Sequence, residues 1–163
     1  MQRKDPVELK TRKNIPLRLF ASIMSQQLFT KVAAVIFKRF LELYDGKEPT
    51  PQNIVDTPFE KLRGIGLPNA KVLYVLNVGH FCMEHDITDK KLKKMSNEKI
   101  IELLTQIKGV GKWTVEMLLM FTLGREDVFA LDDFGIQSAI KKLYKFDDSN
   151  KKRISGKDVK AIG

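Results

Sequence analysis

"QIKGVGKWTV", residues 106–115, places two glycines one residue apart before a lysine, a tryptophan and an apolar run. Glycine costs a helix about 1 kcal/mol relative to alanine, so a pair at the mouth of a helix needs a reason. One reason is a tight turn whose backbone passes close to a ligand. Amides that open the second helix attract a phosphate. Residues 109–112 would offer them, with Lys108 or Lys112 adding charge and Gly111 at the closest approach, a positive φ being allowed for. The other reason is an ordinary corner between helices, which needs glycine only for its shape. The aspartate pair in "ALDDFG", residues 130–135, is the second group that can do chemistry. Read alone, carboxylates at a helix start are caps, and the lone Trp113 is a core residue. Cys82, His80 and His85 lack metal-ligand spacing, and a single cysteine excludes an internal disulfide and any four-cysteine metal or iron–sulfur site.

The elements around these residues read as helices. "IPLRLFASIMSQQ" has helical apolar spacing, and "TKVAAVIFKRFLELY" follows with Thr30 as its expected N-cap and Gly46 just past its end. "TPQNIVD" and "TPFEKL" both open on the cap and first-turn pair Thr-Pro, and Glu60 sits where a capping box wants it. "PNAKVLYVLNVGHF" and "SNEKIIELLTQI" are two more helices. "KWTVEMLLMFTL" is apolar almost all round, hence central, and Gly124 stops it. A last helix starts around "DDFGIQSAIKKLY". No convincing strand appears, so an all-α fold is expected, as a single domain over residues 1–163. One echo runs through it: "LRGIGLPNAKVLYVL" and "IKGVGKWTVEMLLMF" both set Gly-β-branched-Gly between two helices. Two copies do not make a solenoid; they suggest two helix–turn–helix hairpins, with Gly64 and Gly66 purely structural.

The 163 residues suffice for one good core, and 43% hydrophobic with 30% charged residues is the composition of a soluble globular protein. No apolar stretch nears the length of a bilayer span, and the charged start "MQRKDPVELK" lacks a signal-peptide core. An intracellular protein without membrane contact is expected. The formal charge is +9, with a net +3 over residues 1–13 and +5 over 141–163, leaving the middle near +1. Nucleic acid is the natural partner for such a charge, although basic ends are also found as solvated tails. If DNA meets the near-neutral middle, backbone amides and a few lysines must do much of the gripping.

"LLTQIKGVGKWTVEMLLMFTLGREDVFALDDFG" closely resembles the helix-hairpin-helix signature of the DNA glycosylase superfamily, in its alkylation-repair, 3-methyladenine DNA glycosylase II branch. "ASIMSQQLFTKVAAVIFKRF", "PTPQNIVDTPFEKLRGIGLPNAKVLYVLNV" and "DVFALDDFGIQSAI" follow the same family in order. The resemblance covers a helical core over about residues 17–145, flanked by basic segments 1–13 and 146–163. It implies a helix-hairpin-helix glycosylase fold with the second helical lobe incomplete, since relatives continue past "GKDVKAIG" with a Trp-x-Pro stretch and further helices.

The resemblance also implies roles. Asp133 corresponds to the catalytic aspartate and faces the pocket, while Asp132 keeps the cap. Cleavage of an N-glycosidic bond passes through a sugar with oxocarbenium character, which a carboxylate stabilises. A single carboxylate suffices when the leaving base is an already cationic alkylated purine. Trp113 stands against the extruded base, its electron-rich face suited to a cation. In the lyase-competent branch this position is a lysine. Here Lys112 comes one residue earlier, about 100° away around the helix, so a monofunctional enzyme is implied. Met117 stands where some relatives have an aromatic pocket residue. The loop "SQQLF" would fill the gap left by the flipped base, with Gln26 beside Gln27 at the intercalating position and Leu28 as the fallback. DNA contacts are implied at Lys108, Gly109, Val110, Gly111, Lys112 and Thr114. The implied partner is double-stranded DNA with alkylated bases, bound by a monomer. No organic cofactor, catalytic metal or iron–sulfur cluster is implied, although hairpin carbonyls of such folds can hold a monovalent cation. The alternative is a helix-hairpin-helix module that binds DNA without catalysis.

Overall fold

Asn14 opens the first helix by accepting the Leu17 N–H, and Pro16 occupies the first turn, where its missing N–H costs nothing. In the computed structural model, which describes residues 13–128, 130 and 133–144, no strand occurs among the described residues. The chain falls into two units, residues 1–126 and 127–163. The first holds α1 (Ile15–Ser25), α2 (Thr30–Glu42), α3 (Pro51–Val55), α4 (Phe59–Gly64), α5 (Asn69–Glu84), α6 (Asp89–Lys93), α7 (Asn97–Leu104) and α8 (Lys112–Phe121). The second holds α9 (Phe134–Tyr144).

In the first unit α1 is the hub. It buries Ile15, Leu17, Leu19, Phe20, Ile23 and Met24 and packs on α2, α5 and α8. Each such side chain stabilises the fold by roughly 1.5–3 kcal/mol. From α5 come Val72, Val75, Val78 and Cys82, and Gly79 lets α3 close on it: a Cβ there would lie 2.9 Å from the Val55 side chain. The Cys82 thiol is pushed up to about 12 by this burial. On α8, Val115, Leu118 and Leu119 are core, as its all-round apolarity predicts.

Local chemistry revises three expectations. Thr30 is the first residue of α2 rather than its cap; Phe29 holds that place, with no side-chain cap bond. Thr50, Pro51 and Asn53 form the expected start of α3, with a full capping box. The second Thr-Pro pair does not repeat it. The Thr57 hydroxyl donates to the Asn53 carbonyl and meets the Tyr44 hydroxyl at 2.8 Å, so Pro58 flanks α4 uncapped and Glu60 completes no box. The short α6, capped by Thr88, went unanticipated in its lysine-rich stretch. It matters for α1, because Asp89 accepts the N–H groups of both Asn14 and Ile15.

Candidate nucleic-acid interface

The glycine turn between α7 and α8 is held from below. Ile107 and Val110 are buried, and the Val110 N–H donates to the Ile107 carbonyl at 2.9 Å. Gly109 has φ +102, and a Cβ there would collide with the ring of Tyr74 on α5. Gly111 is different. Its φ is −90, it forms the N-cap of α8, and among the described residues nothing lies within 4 Å of where its Cβ would stand. The positive φ allowed for at Gly111 therefore belongs to Gly109, because the chain must pass over Tyr74 there.

Among the described residues the N–H groups of Gly109, Gly111 and Lys112 have no acceptor. Three unsatisfied donors at the start of a ten-residue helix are the kind of group an anion would accept from, on the favourable side of the helix dipole. Val110 does not join them, since its amide is bonded and its side chain is core. Thr114 is 4% exposed and lines a groove between α1, α2 and α8. Lys108 is exposed, and Lys112 pairs with Glu116 one turn further along α8, with Nζ 3.5 Å from Oε1. Glu116 is buried, and its Oε2 has no hydrogen-bond partner among the described residues.

Trp113 is 42% exposed at the second position of α8, against the core placement its residue type alone suggests. Met117 lies one turn on, on the same face of the helix. Met117 lines a groove of about 390 Å³ between α1, α2 and α8, together with Ser22, Ser25, Thr30, Phe37 and Phe121. That volume is within the range of small-molecule sites. Trp113 is not part of the lining, so the two expected base-binding residues share a helix face but not one wall.

The loop between α1 and α2 stands over the groove, with Ser25 and Thr30 at its feet. Gln27 is exposed with φ +59, a left-handed conformation at the tip, while Leu28 is half-buried. Gln26 turns inward: its side-chain amide donates to the Gly109 carbonyl at 3.2 Å. Phe29, which drew no attention in the sequence, is 87% exposed beside them. Lys71 of α5 donates to the carbonyls of Met24, at 3.1 Å, and of Gln26. Burial lowers this ammonium below the ordinary lysine value. No sequence signal marked Lys71, because its partners are set by packing, and although Glu116 pairs with Lys112 at i,i+4 spacing, nothing local signals its burial.

In the second unit Asp133 is the helix cap. Its Oδ1 accepts the Ile136 N–H at 2.9 Å, and its carbonyl accepts the Gln137 N–H at 2.9 Å. The capping role expected of Asp132 thus falls to Asp133, and Asp132 lies outside the described residues. A carboxylate at a helix start is favoured in its anionic form. Among the described residues no three His, Cys, Asp or Glu stand close enough to hold a metal, and no helix is long and apolar enough to cross a membrane.

Comparison with known proteins adds an independent line. Residues 20–162 match the family model described as HhH-GPD superfamily base excision DNA repair protein. The DNA-3-methyladenine glycosylase 1 of Schizosaccharomyces pombe is 38% identical over 147 residues, which are 89% of this chain and 60% of that protein. Among solved structures, the 3-methyladenine DNA glycosylase of Schizosaccharomyces pombe in complex with abasic DNA superposes with a TM-score of 0.78 at 35% identity, covering 90% of this chain and 72% of that one. A DNA-3-methyladenine glycosidase of Bacillus halodurans gives 0.79 at 36% identity, over 85% of this chain and 64% of that one. The chain thus spans 60% of the length of the first of these relatives.

Proposed function

Because the chain belongs to the HhH-GPD superfamily of base excision DNA repair proteins, we propose that it is a monofunctional DNA glycosylase that flips alkylated purines out of double-stranded DNA and hydrolyses their N-glycosidic bond. The observation that carries this is Trp113, 42% exposed in the first turn of α8 and one residue from the open amides of the glycine turn. A structural tryptophan would be covered. One that stacks on a cationic base must face outward, next to the group that holds the backbone.

The division of labour follows. Gly109, Gly111 and Lys112 amides hold a phosphate, with Lys108 adding charge; Gln27 fills the gap in the stack, with Leu28 behind it. Trp113 and Met117 receive the base. Asp133 stabilises the developing sugar cation, and a base that leaves already charged needs no acid. Lys112 cannot replace the lyase lysine, being one residue displaced and paired with Glu116. We propose no organic cofactor, catalytic metal or iron–sulfur cluster, and a monomer acting on DNA inside the cell. A monovalent cation fits the turn: the Val110 carbonyl accepts no hydrogen bond among the described residues, and the Ile107 carbonyl only one. There it would add positive charge beside the phosphate.

The alternative is a non-catalytic DNA-binding module. Asp133 gives it a foothold, since a carboxylate already employed as a cap needs no catalytic explanation. Asparagine is as good an N-cap as aspartate, so Asp133→Asn removes the charge and keeps the helix. The protein is incubated with methylated DNA and the freed bases are separated by chromatography. The parent should release 3-methyladenine and 7-methylguanine, and Asp133→Asn should release at least about a hundredfold less while binding an abasic duplex within a few-fold of the parent. Near-normal release by the variant contradicts the role of Asp133, and no release by the parent favours the module.

A further inference from the structure

Gln26 stands next to the residue at the loop tip, yet its side chain does not point out with it. The amide Nε2 reaches 3.2 Å to the carbonyl of Gly109, the residue that seats the glycine turn on Tyr74. The Gln26 backbone is fixed as well, because its carbonyl accepts from Lys71 Nζ, which also holds the Met24 carbonyl at 3.1 Å. Lys71 and Tyr74 are one turn apart on α5, and Asn77, three residues further, donates to the Lys108 carbonyl at 3.5 Å. Successive turns of one helix therefore brace the loop and then the glycine turn, and Gln26 closes the triangle between them. A bond between two loops far apart in sequence fixes their spacing only if nothing else does. Among the described residues the other side-chain hydrogen bonds from α5 to the loop are those of Lys71, which set its base rather than its distance from Gly109.

We infer that Gln26 is a positioning residue rather than a DNA contact: it fixes the intercalating Gln27 relative to the phosphate-holding turn, so that gripping the backbone places the wedge at the base to be flipped. This rests on the proposed glycosylase function. Without the bond the turn still holds phosphate and the loop tip still carries Gln27, but the two no longer share a register. Base extrusion then suffers while backbone affinity does not, because phosphate contacts are sequence- and damage-independent.

Gln26→Met keeps length and removes the donor; Gln26→Glu keeps shape and sets a carboxylate against the Gly109 carbonyl; Lys71→Met frees the loop from its other side and serves if the first two fail to fold. Each is compared with the parent for affinity to undamaged duplex, for fluorescence of 2-aminopurine beside an alkylated base, and for single-turnover release of that base at saturating protein. The expected result is undamaged-duplex affinity within about twofold, with flipping and release slowed roughly five- to tenfold, the scale of one lost hydrogen bond. Gln26→Met combined with Gln27→Ala should be no slower than Gln27→Ala alone. Parent-like flipping in the folded variants overturns the inference, as does an additive double variant, which would make Gln26 an independent DNA contact. A loss of melting temperature with unchanged flipping overturns it too. If the parent itself releases no base, the glycosylase function fails first and takes the inference with it.

Discussion

The two glycine hairpins share a sequence pattern and differ in nearly everything else. In the hairpin of α4 and α5 the positive φ falls on the second glycine, Gly66, at +106; in that of α7 and α8 it falls on the first, Gly109, at +102. The following helix starts directly after Gly111, but only at Asn69 in the first hairpin. Pro68 accounts for the delay, since it bars its predecessor Leu67 from helical geometry. It also has no N–H to offer. The first turn is closed by its own protein, with Arg39 donating to the Ile65 carbonyl at 3.5 Å and Arg63 to that of Leu67 at 3.2 Å. The second also has carbonyls held by the protein's own side chains, Gly109 by Gln26 and Lys108 by Asn77. But it sets the open amides of Gly111 and Lys112 directly at the mouth of α8, with Lys108 exposed beside them. A Gly-x-Gly pattern thus marks a tight turn; the residues just after it decide whether the turn looks inward or outward.

The comparison can be broken at each glycine. The largest effect is expected at Gly109, where alanine meets both a positive φ and the Tyr74 ring. Gly109→Ala should destabilise the protein by about 3 kcal/mol in urea unfolding. Because α5 must shift to admit it, the buried Cys82 should become faster to label with a thiol reagent. A loss below about 1 kcal/mol would mean that Tyr74 does not seat the turn.

Gly66→Ala should cost less, about 1–2 kcal/mol, since φ is strained but the nearest side-chain atom to a new Cβ is Arg39 Nη1 at 3.8 Å. DNA affinity should not change once the variant is folded. Weakened binding to undamaged duplex would show that the first hairpin also grips the backbone.

The smallest effect is expected at Lys108, whose ammonium has no ion-pair partner among the described residues. Lys108→Ala should leave stability within about 0.5 kcal/mol. The plot of log affinity against log salt should become shallower by about 0.9 if one phosphate is neutralised there. An unchanged slope would leave the amides to act without it.

Much of this was legible in the sequence. The Thr-Pro pair at Thr50 gave α3 and apolar spacing gave α7, and the glycine turn and last helix fell where their residues predict. Local signals failed where a distant partner took the residue. Thr57 is drawn from its capping role by Asn53 and Tyr44, and Gln26 from the DNA side by Gly109. The echo between the hairpins was visible as letters, but the conformations diverge because Tyr74 lies under one turn and Pro68 follows the other. Trp113 was assigned outward by family resemblance alone, since a lone tryptophan on an apolar helix is ordinarily core. Burial of Glu116 beside Lys112 has no local cue at all.

The central claim is that the open turn holds a phosphate, and Gly111 is the place to test it. Among the described residues no atom lies within 4 Å of a Cβ there and φ is −90, so alanine meets no obstacle from them. Gly111→Ala should cost no more than about 1 kcal/mol of stability, the scale of a weaker N-cap. A phosphate seated on the amides would meet the new methyl group. Affinity for undamaged and damaged duplex alike should then fall by about tenfold, the scale of a lost charge-assisted hydrogen bond. A Gly111→Ala protein that folds like the parent and binds undamaged duplex with parental affinity would contradict the claim, leaving both glycines to shape a turn and nothing more.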